Sequence, residues 1–185
     1  MRTKLIVFAT LILGALSVVS CIDPDQTQEV ILQRDKEAIE KYIKDTALPS
    51  AKTYSEPIEG IYMFWEVSLD PEINTLLVSD TVRVNYTGKL LTNKVFDSSI
   101  EQIAKDNGIY SSSRNYQPLK FPLGRGFAIP GFEYALSLMR AGEKAIVVFP
   151  SRLGYGNQPQ GPVPANSPLI FELDLLEVKK GPNHL

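Results

Sequence analysis

One histidine and one cysteine limit the chemistry open to this chain of 185 residues. His184 lies beside the C-terminus, in a tail expected to fray, and Cys21 closes an apolar N-terminal stretch. Neither is placed to act as base or nucleophile in a Ser–His or Cys–His arrangement within a folded domain. A structural zinc site of the Cys/His kind lacks ligands. What is left is chemistry by carboxylates, hydroxyls, backbone groups and apolar surface.

Composition narrows the partners. A net charge of −2 leaves no basic footprint, so a nucleic-acid binder is set aside. With 44% apolar and 22% charged residues the chain is ordinary globular material, long enough for one domain plus a targeting segment and a linker.

The segment Met1-Arg2-Thr3-Lys4 precedes an apolar run over residues 5–19, the parts of a secretory signal peptide. The run is at the short end for a membrane span, which needs about 20 residues. The junction Val18-Val19-Ser20-Cys21 resembles a bacterial lipobox. That resemblance implies removal of residues 1–20 and acylation of Cys21; the alternatives are a plain signal peptide with an incidental cysteine, or an uncleaved anchor. Several acyl chains on one residue anchor stably where one chain binds marginally. The expected location is the bacterial cell envelope, with a lipid anchor in a membrane, the outer one facing the periplasm.

Apolar residues at helical spacing (Ile31, Ala38, Tyr42 and Leu32, Ile39, Ile43) predict a helix over residues 30–47, within a linker of residues 21–56, ended by Leu48-Pro49. Packing on the domain, or spacing it from the membrane, is the expected role, with pairing to a second copy as the alternative. Residues 60–67, 80–87, 143–149 and 169–178 read as strands, with Val82, Val84 and Tyr86 on one face. One short helix opens at Pro130-Gly131, with Phe132, Leu136 and Met139 along one side. Strands around one short helix make an α+β domain with an antiparallel sheet folded on the helix.

Motif order then matches one family. Val84-Asn85-Tyr86-Thr87-Gly88, Val95-Phe96-Asp97-Ser98-Ser99, Leu119-Lys120-Phe121-Pro122-Leu123-Gly124, Ala128-Ile129-Pro130-Gly131-Phe132, Gly154-Tyr155-Gly156 and residues 163–173 resemble, in sequence order, FKBP-type peptidyl-prolyl cis-trans isomerases. The resemblance runs over residues 57–180, followed by a tail of residues 181–185. It implies an antiparallel five-stranded half-barrel sheet wrapped on one short helix, preceded by a separate N-terminal helix. It also implies a proline pocket with Asp97, Tyr155 and Phe171 in catalysis and Tyr86, Phe96, Phe121, Ile129, Phe132 and Val163 on the substrate. No metal or cofactor is implied. Partners by the same resemblance are proline-containing polypeptides, macrolide-type inhibitors and, through the lipid, a membrane.

The implied activity is prolyl isomerisation in the folding of exported proteins. The rival reading is a non-catalytic module that grips proline segments or holds unfolded chains. Three departures from the family pattern bear on ligand choice. Phe132 stands where many members carry tryptophan, and Leu119 replaces a common rim aromatic. Residues 100–117 form a polar connection longer than in minimal members, expected to be a surface loop with few buried contacts.

Overall fold

The computed structural model describes residues 27–69 and 76–184. The expected leader, the lipobox-like junction and Cys21 therefore lie outside the described residues.

Strands β1 (Lys52–Glu56), β2 (Ile61–Val67), β3 (Thr81–Leu90), β4 (Val95–Ser98), β5 (Leu119–Pro122), β6 (Lys144–Phe149) and β7 (Leu169–Lys179) form one antiparallel sheet. The spatial order is β1-β2-β6-β7-β3-β4, with β5 also on β3. The α+β class and antiparallel sheet are as expected, but among the described residues the strands number seven, not five. Two local reasons account for the difference. The sheet starts at Lys52 because β1 pairs residue by residue with β2, five positions earlier than the expected domain boundary. The free edge of β3 is also shared, by β5 along residues 81–84 and by β4 along 87–89.

Alternation decides the core. Along β2 the pattern buries Ile61, Met63 and Trp65, and along β3 it buries Val82 and Val84. Helix α3 (Pro130–Ser137) closes this face with Phe132, Ala135 and Leu136. Pro130 occupies its first turn, where a missing N–H costs nothing. A Cβ at Gly131 would lie 2.6 Å from the ring of Phe149, so glycine there lets α3 sit directly on β6.

The N-terminal helix α1 covers residues Gln28–Asp45, slightly earlier than the expected 30–47. The reading began at the first apolar position, whereas the start is set by Thr27, whose hydroxyl accepts from Val30 N at 3.3 Å. Ile39 packs on Val148 and Ile170 on the sheet's outer face. The helix is thus part of the folded unit rather than a free stalk. Asp35, 2% exposed, accepts from both Ser151 N (2.9 Å) and the Ser151 hydroxyl, and Ser151 opens the loop that carries Tyr155.

Two further expectations are corrected. Residues 100–117 contain a helix, α2 (Glu101–Asp106), with Ala104 fully buried, so this connection is not wholly a surface loop. The tail is tied down as well. Gly181 N donates to Asp80 at 2.7 Å, and His184 Nε2 lies 2.7 Å from the same carboxylate. Burial would raise the Asp80 carboxyl, but hydrogen bonds from Leu77 N, Gly181 N and His184 outweigh it and hold it below its ordinary value.

The Asp35–Ser151 link yields a stability prediction. Asp35→Ala strands a buried N–H and hydroxyl and should cost about 1–3 kcal/mol in urea unfolding at pH 7. Asp35→Asn keeps an acceptor and should stay close to the parent at about pH 4, near the ordinary carboxyl value. Burial, the largest influence, raises the Asp35 carboxyl above its ordinary 3.8. The folded state then holds the proton more tightly, so this stabilising contribution is full below 3.8 and lost as pH rises through the folded value. Asp35→Asn should therefore gain on the parent as pH rises above about 4. Equal losses in both variants would remove the polar link from the account.

Candidate active site

The aromatic residues converge at the end of the core where β3, β7 and α3 meet. Phe171 on β7 is the centre. Its ring meets Phe132 at 5.2 Å and Phe96 at 5.7 Å, both edge-on, Tyr86 at 6.2 Å, and stacks on Phe149 at 5.9 Å. Edge-to-face and offset pairs at these separations are favourable beyond the area they bury. Gly88 makes the closeness possible: a Cβ there would lie 2.6 Å from Phe96 and 3.0 Å from Phe171.

Above these rings lies a cavity of about 390 Å3. Tyr86, Asp97, Leu119, Phe127, Ile129, Phe132, Tyr155 and Phe171 are among its walls. Of the nine residues implied for catalysis and substrate, six thus share one cavity: Tyr86, Asp97, Ile129, Phe132, Tyr155 and Phe171. The other three do not line it. Phe96 lies behind, with its edge on Phe171 and on Tyr155 at 6.5 Å. Phe121 packs behind Phe132 at 6.3 Å, and Val163 is 2% exposed within the main core. The sequence pattern could not separate wall from backing, because both alternate inward along their strands.

The polar side of the cavity is a closed network. Tyr86 donates its hydroxyl to Asp97 Oδ2 at 2.7 Å, and Arg114 donates to the Tyr86 oxygen at 2.9 Å while pairing with Asp97 Oδ1. Burial, then the Asp97 charge, pushes the Tyr86 hydroxyl's pKa well up, so it stays a donor to the carboxylate. Burial and, second, Asp97 also raise Tyr155. Tyr155 lines the cavity, and its hydroxyl has no hydrogen-bond partner among the described residues.

Arg114 escaped the reading of the sequence. It comes from the connection treated as a loop, 17 residues past Asp97. Its place is set locally. The guanidinium lies 5.2 Å over the Tyr116 ring, Tyr116 stacks on Tyr110 at 5.6 Å, and Ser111 N donates to the Tyr116 hydroxyl at 3.0 Å. The one signal available was that Arg114 is the sole arginine between Phe96-Asp97 and Phe121.

The site therefore combines a desolvated aromatic cup, a carboxylate compensated by an arginine and a tyrosine, and one free phenolic donor. It can grip a small apolar ring, exclude water and offer a single hydrogen bond to a carbonyl. It holds no poised nucleophile.

Comparison with known proteins agrees with this geometry. Residues 75–176 match the family model of FKBP-type peptidyl-prolyl cis-trans isomerases. The chain is 42% identical to an FK506-binding protein 2 of Yarrowia lipolytica over 100 residues, 54% of this chain and 60% of that protein. It is 31% identical to the FKBP-type isomerase FkpA of Aeromonas hydrophila over 152 residues, 79% of this chain and 50% of the relative. The chain thus spans between half and two-thirds of these relatives. The crystal structure of FkpA from Escherichia coli superposes with a TM-score of 0.58 at 28% identity, covering 83% of this chain and 63% of that one. A match over more than half the sequence, on the residues that build the cup, means that the chain belongs to the FKBP-type peptidyl-prolyl cis-trans isomerase family.

Proposed function

We propose that this protein is a peptidyl-prolyl cis-trans isomerase that assists folding of exported proteins while tethered to an envelope membrane through Cys21. The observation that carries the catalytic reading is the cup itself: Phe132, Phe171 and Ile129 around a free Tyr155 hydroxyl, beside a carboxylate already neutralised by Arg114. Rotation about an X–Pro bond breaks amide resonance against a barrier of about 18–20 kcal/mol, and it neither makes nor cleaves a bond. At the transition state the carbonyl twists out of the amide plane and the group loses charge separation. A water-free cup that holds the pyrrolidine ring favours that less polar state over the planar one. The Tyr155 hydroxyl donates to a carbonyl of the twisted segment. Asp97 cannot draw in water unopposed, because both its oxygens are engaged. A million-fold acceleration asks for about 8 kcal/mol.

A protease-free isomerisation assay on the chain tests this. Tyr155→Phe removes one hydroxyl and keeps the ring, so kcat/KM should fall by about 3- to 10-fold, or about 0.7–1.4 kcal/mol, with the melting temperature nearly unchanged. No turnover by the parent, with retained binding of proline peptides, would favour the holding module instead.

Arg114→Ala uncovers Asp97 and the Tyr86 oxygen at the rim of an apolar cavity. It should lower kcat/KM more than Arg114→Lys does, since lysine keeps the charge but not the fork. Raising salt to 1 M should depress the Lys variant further than the parent. Identical activity in all three would exclude the arginine from the mechanism.

The pH profile follows from the raised phenols. Both Tyr86 and Tyr155 lie above the ordinary 10.0 of tyrosine, so each stays protonated and able to donate through neutral pH. The rate should be nearly flat between about pH 6 and 8, the window in which histidine catalysis would change. A bell-shaped curve there would sink the cup mechanism.

The anchoring reading rests on the lipobox-like junction at the chain's one cysteine. Cys21→Ser should abolish incorporation of labelled fatty acid and release the protein from the membrane fraction. Unchanged labelling would overturn it.

A further inference from the structure

Tyr155 sits in the connection between β6 and β7, not on a strand. The chain leaves β6 at Pro150, makes a single helical turn over Ser151–Leu153 and carries Tyr155 between Gly154 and Gly156. One oxygen gathers this loop. The Ser151 carbonyl accepts from both Gly154 N and Gly156 N at 2.8 Å, so the two neighbours of Tyr155 hang from the same group. The Gly156 carbonyl in turn accepts from Asn166 N at 2.7 Å, which ties in the segment ahead of β7. Where Ser151 stands therefore sets where Tyr155 stands.

Ser151 is itself held from outside the loop. It is 1% exposed, and both its N–H, at 2.9 Å, and its hydroxyl donate to Asp35 Oδ2. Asp35 comes from α1, which precedes the residues 75–176 that match the family model. Helix α1 is seated firmly enough to act as an anchor. A Cβ on Gly60 would lie 2.9 Å from Lys36 Cγ, Ile39 is fully buried on Val148 and Ile170, and the Tyr42 hydroxyl donates to Asn93 Oδ1 at 3.0 Å. An apolar side chain at position 35 would also have held the helix on the sheet, as Ile39 does, without the cost of burying a carboxyl. What the acid adds is direction: two donors on one oxygen fix Ser151 in one geometry. Direction matters for a hydroxyl in a reaction, since a displacement of about 1 Å can cost most of its contribution.

We propose that Asp35 is a positioning residue for the isomerase site: through Ser151 and the amides of Gly154 and Gly156 it fixes where the Tyr155 hydroxyl meets the substrate carbonyl. Helix α1 then serves turnover as well as stability. This rests on the isomerase reading for the turnover and on the hydrogen-bond chain for the coupling.

A double-mutant cycle on the full chain tests it, with rates expressed per folded molecule after urea unfolding has given the folded fraction. Asp35→Ala should lower kcat/KM about threefold where Tyr155 is present, and by less than about 1.5-fold in the Tyr155→Phe background, which has no hydroxyl to misplace. Asp35→Asn returns an acceptor oxygen to Ser151 and should recover the parent kcat/KM to within about twofold. Amide exchange at Gly154 and Gly156 should quicken about tenfold in Asp35→Ala and stay unchanged in Tyr155→Phe. A parent-like rate in Asp35→Ala, equal falls in both backgrounds, no rescue by asparagine, or unchanged exchange would each overturn the proposal. Should Asp35→Ala fail to fold, Ser151→Ala, which loses the hydroxyl and keeps the N–H, takes its place in the cycle: a fall confined to the Tyr155 background supports the proposal, and equal falls or none overturn it. A parent without turnover would mean that the isomerase reading has failed. The same cycle is then read on the Kd of a labelled proline peptide by fluorescence anisotropy, where a non-additive pair supports the positioning and an additive pair overturns it.

Discussion

The Phe171 ring is the constraint on which the rest of the molecule depends. It sits on β7, the strand that pairs with β3 on one side and β6 on the other, opposite Gly88 and Val147. Four other rings meet it, from β3, β4, α3 and β6. Stability and site are therefore one object: the floor of the cup is the top of the core. A sheet wrapped on a short helix is what brings these rings together. The helix supplies Phe132 to the pocket with one face and Leu136 to the core with the same face a turn later.

An apolar cup gains little if a bare carboxylate stands at its edge, since an uncompensated charge in low dielectric is costly and holds its water. Here Asp97 is answered from two directions, by Tyr86 on β3 and by Arg114 from beyond α2. The tyrosine spends its proton on the carboxylate and its oxygen on the arginine. That leaves Tyr155, which lines the cavity, with the hydroxyl that has no partner among the described residues. Division of labour between two tyrosines of like chemistry thus comes from their neighbours, not from their type.

Much of this was legible in the chain. Alternation through Val82, Val84 and Tyr86, the Pro130-Gly131 helix start and the ordered motifs led to the α+β class and to six residues that share the cavity. Three kinds of feature were not legible. Phe96, Phe121 and Val163 back the wall instead of forming it, a matter of depth that period-two patterning does not encode. Strand β1 is polar and mostly exposed, so it carries no apolar alternation and exists through its ladder with β2. Arg114, Asp35 and His184 act across 17, 116 and 104 positions, distances at which single-residue chemistry has no periodic signature.

Those long-range polar links share one physical origin. Loops around the cup have no ladder to satisfy their backbone, and an unpaired buried N–H costs as much as a lost hydrogen bond. Carboxylates answer that need, because each oxygen accepts strongly and bonds to an ionised acceptor outweigh neutral ones. Asp35 fixes the start of the Tyr155 loop at Ser151, Glu133 fixes the turn carrying Phe127, and Asp80 fixes the Leu77 segment together with Gly181 and His184. Three acids, on α1, on α3 and just ahead of β3, thereby hold three segments that border the opening of the cup or the cavity beside it. The rigid sheet sets where the opening lies. Its shape is set by these acceptors, and that is why a surface lined with exposed apolar residues keeps its form instead of collapsing on itself.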